Sequence, residues 1–143
     1  MGDHGFSIRP VGRVESALTR REDAPRQGSE GAPAAWIVFE EDVGDAMRDL
    51  RPGDEVIVLT WLHEAARDVL LVHPRDDEAV PLTGVFSTRS PDRPNPIGLH
   101  PVEVLEVDGL RVRVGPLEAI DGTPVVDVKP APRPGGGYRS YCS

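Results

Sequence analysis

The sequence predicts a mainly β fold, a small barrel of short strands with one or two short helices, and three observations carry that expectation. Apolar runs are strand-sized and rich in β-branched residues, turn formers recur between them, and a single stretch has helical spacing. A doubly wound nucleotide-binding sheet is not indicated. No G-x-G-x-x-G opens a helix, and no phosphate loop ends in Gly-Lys-Ser/Thr.

Residues 8–14 mix apolar and polar side chains around Pro10, which suits an edge strand because proline donates nothing to a ladder. Residues 20–31 are polar and rich in glycine and proline, a long loop carrying Pro25, Arg26 and Gln27. Residues 34–39 (AAWIVF) form a covered strand. Val43, Ala46, Met47 and Leu50 then recur at helical spacing, predicting a short amphipathic helix ended by Arg51-Pro52-Gly53. The nearly continuous apolar run 55–62 (EVIVLTWL) reads as a central strand buried on both faces, and it delivers His63 and Glu64 at its end. Residues 69–72 make another short strand, and 74–78 a polar loop.

Residues 101–107 and 110–114 are two strands joined at Asp108-Gly109, the signature of a type I′ hairpin. In the second, Leu110, Val112 and Val114 alternate with Arg111 and Arg113, so one face is buried and the arginines are expected to be solvated. Asp121-Gly122 marks a further tight turn before a last strand through Val125 and Val126. The barrel domain is expected over 1–130. Residues 131–143 should be a Pro/Gly-rich tail, disordered or ordered only against a partner.

A length of 143 residues supports one core. With 38% hydrophobic and 28% charged residues, and no apolar run near the ~18 residues a membrane span needs, no membrane is implied. The first residues lack a basic segment followed by an apolar one, so a cytoplasmic protein is expected. The single cysteine, Cys142, offers neither a disulfide framework nor a thiolate cluster, and no metal site is expected. A formal charge of −8 argues against a broad nucleic-acid-binding face, although a local arginine patch could survive within it.

The stretch 84–98 (GVFSTRSPDRPNPIG) has the strongest functional character. Pro91, Pro94 and Pro96 fix φ and stiffen the backbone without a sheet ladder. Arg89 and Arg93 are thereby pre-organised for an anion or carboxylate.

Pro25-Arg26-Gln27, Trp61-Leu62-His63, the 84–98 string and 117–130 (LEAIDGTPVVDVKP) together resemble the TsaA-like family, also called YaeB or TrmO, of S-adenosylmethionine-dependent methyltransferases. The resemblance covers residues 8–130. It implies a β-barrel methyltransferase, with S-adenosylmethionine contacted by Pro25, Arg26, Gln27, His63, Glu64, Arg89, Leu99, Asp121, Gly122, Thr123 and Pro124. It further implies a cofactor site near a subunit contact, hence a homodimer. Arg89 would pair with the cofactor carboxylate, while the Asp121-Gly122 turn offers a carboxylate to ribose or adenine. Arg93 and Asn95 are assigned to the acceptor. Positioning carries most of such a reaction, and a base, where the acceptor nitrogen needs one, would be His63 or Asp121. The expected acceptor is threonylcarbamoyl-modified adenosine in tRNA. The alternatives are a small-molecule acceptor or a non-catalytic S-adenosylmethionine-binding module. Glu118 stands where the family has aspartate, and Ala131 replaces a tyrosine that could stack on a base. The net charge, and an end at Ser143 where relatives acting on tRNA often continue into a further domain, favour tRNA less than they favour the cofactor.

Overall fold

Buried apolar residues alternate with exposed or half-buried ones along the strands, giving the sheet one apolar face to enclose. In the computed structural model, which describes residues 5–132, the strands are β1 (Gly12–Glu15), β2 (Ala35–Phe39), β3 (Glu55–Trp61), β4 (Leu71–Val72), β5 (Thr83–Gly84), β6 (Ile97–Asp108), β7 (Arg111–Gly115) and β8 (Pro124–Pro130). Six of them form a closed barrel in the order β1-β2-β7-β6-β3-β8, with every pairing antiparallel, while β4 and β5 pair only with each other. Val14, Ile37, Val56, Val58, Val104, Val112, Val114 and Val125 point inward and fill the barrel, joined by Leu117 from the loop before β8. The mainly β barrel expected from the sequence is therefore the fold found.

Several local expectations shift. Residues 12–15 are not an edge strand: Pro10 lies outside the strand, and closure gives β1 two neighbours, β2 and β8. β3 lies centrally between β6 and β8, yet only Val56, Val58 and Thr60 are fully buried, so it alternates instead of being covered on both faces. The stretch with helical spacing folds as a 3-10 helix, Glu41–Met47, with Gly44 in its middle and i→i+3 bonds such as Arg48 N–H to Asp45 O. Among the described residues there is no α-helix.

The hairpin turn is displaced by one residue. Asp108 pairs with Arg111, so the loop is Gly109-Leu110, and Gly109 (φ 61°) alone carries a positive φ. A type I′ turn needs two such residues, and leucine does not supply the second. β6 begins four residues earlier than expected and serves two partners in succession: it pairs with β3 from Ile97 to Glu103 and with β7 from Glu103 onward. Pro101 is tolerated because β6 has no β7 neighbour there. Arg111 and Arg113 are also less free than expected. Arg111 lies 4.3 Å over the Trp36 ring and 3.3 Å from Glu15, and Arg113 lies 3.4 Å from Glu106.

The antiparallel register sorts the connections into two ends. Residues 40–54 and the Gly109-Leu110 turn lie at one end. At the other, the long connections 16–34, 62–96 and 116–123 gather beside one another, with β4 and β5 inside the second. No helix among the described residues is long and apolar enough to cross a membrane. The expected tail falls almost wholly outside the described residues.

Candidate functional site at the loop end of the barrel

Three neighbouring strand ends carry most of the expected contact residues. Thr60 is opposite both Gly98 of β6 and Val125 of β8. His63 and Glu64 follow β3, which is flanked by β6, with Leu99 and the preceding Asn95, and by β8, which the 121–124 turn enters; that turn is itself bonded to Val14, Ser16 and Leu18. His63 Nε2 is 3.9 Å from Glu64 Oε2, and both side chains are part-exposed.

Ion pairs fold the first long loop onto the second. One guanidinium nitrogen of Arg21 donates to both oxygens of Asp92 at 2.9 Å, and Arg21 also donates to the Glu64 carbonyl at 3.3 Å. Arg26 reaches Asp76 at 2.9 Å, and Arg75 reaches Glu30 at 2.7 Å. Arg75 and Asp76 both hold φ of 56°, a left-handed conformation unusual for side-chain-bearing residues, where two oppositely charged partners meet them. Arg26 thus makes an exposed ion pair with Asp76, while Pro25 and Gln27 flank it in the same loop.

Burial raises the Asp92 carboxyl, but the Arg21 bond and the Ala66 N–H outweigh it and hold the group below its ordinary value of 3.8. A depressed folded value means that this contribution is fully present above pH 3.8 and is lost as pH falls through the lower folded value. Acidification below pH 3.8 should therefore lower the unfolding temperature of the wild type more than that of Asp92→Asn. Parallel curves in a thermal-melt series would remove Asp92 from this role.

The proline-rich loop is wrapped around Arg93. Its Nε donates to Ser90 O (2.8 Å), its Nη2 to Thr88 O (2.6 Å) and Val85 O, and its backbone N–H to Ala66 O (3.0 Å), which leaves Nη1 as the unengaged nitrogen among the described residues. Arg67 stacks 5.0 Å from the Trp61 ring centre and donates to Pro94 O (2.8 Å) and Asn95 Oδ1 (3.0 Å), fixing the exposed Asn95 amide. Arg89 is different: it is exposed, and its guanidinium has no partner among the described residues.

Asp121 Oδ1 accepts the Ser16 N–H at 3.0 Å, Oδ2 has no hydrogen bond among the described residues, and Gly122 takes φ 84° with its N–H on Val14 O. Asp121 and Gly122 rim a cleft of about 450 Å³ whose walls include Arg13, Ser16, Trp36 and Arg113. Thr123 is buried, its hydroxyl donating to Ile120 O at 2.7 Å, so its side chain serves the turn, and Pro124 opens β8. Leu99 is 41% exposed on the outer wall of β6, away from the barrel interior. Sequence reasoning passed over Arg21, Asp92 and Arg67, whose partners are distant in the chain. It also passed over His100, which shares the inward face of β6 with Val102 and Val104, because the strand was expected to begin only at residue 101.

A closed antiparallel barrel thus carries the exposed Arg89, the His63–Glu64 pair and the Asp121-Gly122 turn on its long connections. Residues 13–133 match the model of the tRNA-methyltransferase O N-terminal domain, and the chain belongs to that family. It is 46% identical to a probable S-adenosyl-L-methionine-binding protein of Methanothermobacter thermautotrophicus, over 91% of this chain and 93% of that one. It is 42% identical to an S-adenosyl-L-methionine-binding protein of Archaeoglobus fulgidus, over 85% and 86% of the two chains. The fold superimposes on a crystal structure of TrmO from Pseudomonas aeruginosa with a TM-score of 0.72 at 24% identity, covering 99% of this chain but 63% of that one.

Proposed function

We propose that this chain binds S-adenosylmethionine at the adjoining ends of β6, β3 and β8 and directs its methyl group to threonylcarbamoyl-modified adenosine in tRNA. The observation that carries this reading is that His63-Glu64, Asn95, Leu99 and the 121–124 turn stand at or beside the ends of three neighbouring strands. The names of the archaeal relatives support the cofactor, and the family supports the reaction.

The available groups suit that ligand. The unengaged Arg89 guanidinium meets the cofactor carboxylate, and Asp121 Oδ2 meets a ribose or adenine donor, while Pro25, Gln27 and the 122–124 backbone shape the walls. The bound cofactor supplies the electrophilic methyl group. The protein's task is to hold the acceptor nitrogen in line, with Asn95 and Arg93 Nη1 contacting the acceptor and His63 Nε2 receiving the proton it releases. Asp121, already fixed by Ser16, is better placed to orient than to take a proton.

Leu99 and Ile97 on β6, together with Leu70, Leu71, Leu82 and Phe86 around β4 and β5, are exposed apolar side chains, Phe86 at 88%. Two copies of the chain pairing through these side chains would cover them and place Leu99 at a shared cofactor site, which light scattering of wild type and Phe86→Ser would test. A dimer that survives in the variant with its apolar contacts unchanged would move the interface elsewhere.

The deciding experiment is transfer of labelled methyl from S-adenosylmethionine to total tRNA prepared with and without the threonylcarbamoyl modification. Label is expected only in the modified tRNA. Cofactor binding without transfer to either would favour a small-molecule acceptor or a binding module. The charge of −8 and the ion-paired arginines beside the cleft favour the small acceptor as the second reading.

A further inference from the structure

The segments assigned to the cofactor meet on one buried line of polar side chains that none of the roles above uses. Thr60, fully buried, stands one residue before Trp61 and so leads to His63-Glu64. His100, its side chain 4% exposed, follows Leu99. Glu118, 16% exposed, precedes the 121–124 turn. Thr60 Oγ1 and His100 Nε2 are 2.7 Å apart, and His100 Nδ1 is hydrogen-bonded to Glu118 Oε1. A carboxylate oxygen accepts only, so Nδ1 carries the proton in that bond, and in the uncharged ring Nε2 accepts from the Thr60 hydroxyl.

The line continues to the fourth segment. A Cβ placed on Gly28, next to Gln27, would come 3.0 Å from Glu118 Oε2 and 2.9 Å from Pro116 O, so the backbone of the 16–34 loop rests against the carboxylate. Leu117 N–H to Pro33 O ties the two segments directly, and Ala32 N–H to Gly28 O closes the loop's own turn beside the contact. On β6, a Cβ on Gly98 would collide with Thr60 Oγ1 and His100 Nε2, so glycine leaves the room in which this line is built. Packing alone does not account for it. The neighbouring inward positions are Val102 and Val104, and burying an imidazole and a carboxylate costs more than another valine would. A buried polar network with its partners in place fixes the geometry of what it joins.

We propose that His100 is a positioning residue: through Thr60 and Glu118 it holds 25–31, 61–64, 97–99 and 116–123 in mutual register for the ligand. This rests on the cofactor reading above, but the fastening itself is measurable without ligand. His100→Leu removes both bonds, while His100→Asn keeps a donor near the Nδ1 position for Glu118. In the full chain, amide hydrogen exchange at 25–31, 61–64 and 116–123 is expected to quicken tenfold or more in His100→Leu, with β1, β2 and β7 unchanged. His100→Asn should restore protection in 25–31 and 116–123. Calorimetric titration should show Kd for S-adenosylmethionine rising at least tenfold in His100→Leu and recovering in part in His100→Asn.

Unchanged exchange in the named segments, or an equal rise over the whole barrel, overturns the proposal. Equal behaviour of the Leu and Asn variants does the same. Where His100→Leu does not fold, Glu118→Ala, which removes the acceptor of His100 Nδ1, and Gly98→Ala are read by the same criteria. A wild type that does not bind S-adenosylmethionine overturns the cofactor reading, and the exchange pattern alone then decides whether His100 fastens the loops.

Discussion

Arg89→Ala is expected to raise the Kd for S-adenosylmethionine about ten- to a hundredfold while leaving the unfolding temperature unchanged. The guanidinium is exposed and has no partner among the described residues, so its loss costs the fold nothing. A charge-assisted bond to the cofactor carboxylate is worth roughly 1.5–3 kcal/mol, which sets the size of the affinity change. Arg89→Lys should recover part of it, since an ammonium keeps the attraction and loses the two-pronged geometry. Arg93→Ala should behave in the opposite way, because the carbonyls of Val85, Thr88 and Ser90 lose their donor and the loop loosens. Calorimetry paired with thermal melts separates the two: an Arg89→Ala protein that binds like wild type would show that the carboxylate is held elsewhere.

Leu117→Ala is expected to produce the largest loss of stability, about 2–5 kcal/mol. Leu117 is fully buried within the core cluster although it belongs to a connection and not to a strand. At roughly 3–5 °C per kcal/mol for a domain of this size, the unfolding temperature should fall by some ~6–25 °C. A drop of only a degree or two would mean that the loop collapses into the vacated space. The Asp121 turn lies four residues further on, so cofactor affinity should weaken in the same variant at temperatures where it remains folded.

The parts legible in the sequence were those governed by neighbours in the chain. Apolar runs of strand length placed β2 and β3, and period-two alternation placed β7, each to within a residue or so, while Asp121-Gly122 announced its turn through the positive φ that glycine accepts. Where a long-range partner decides, local signals misled. Pro94, Pro96 and Pro101 concealed the start of β6, because a proline is admissible only once it is known which side of the strand lacks a neighbour. Barrel closure, which gave β1 a second partner, is a property of the whole sheet. The candidate residues were named from the resemblance, but what each side chain does depended on contacts: Arg26 and Arg93 are engaged by Asp76 and by loop carbonyls, whereas Arg89 is unengaged.

The barrel and its loops are fastened by different forces, and the solvent can address them separately. Valine packing holds the barrel and responds to denaturant, whereas Arg21–Asp92, Arg26–Asp76 and Arg75–Glu30 tie the long loops across their partly exposed surfaces. At 1 M salt the screening length shrinks to about 3 Å, so those ties weaken while the apolar core is unaffected or strengthened. Ionic strength is therefore a selective handle on the site: raising it should free the 16–34 loop to move against the 62–96 connection on a barrel that stays intact.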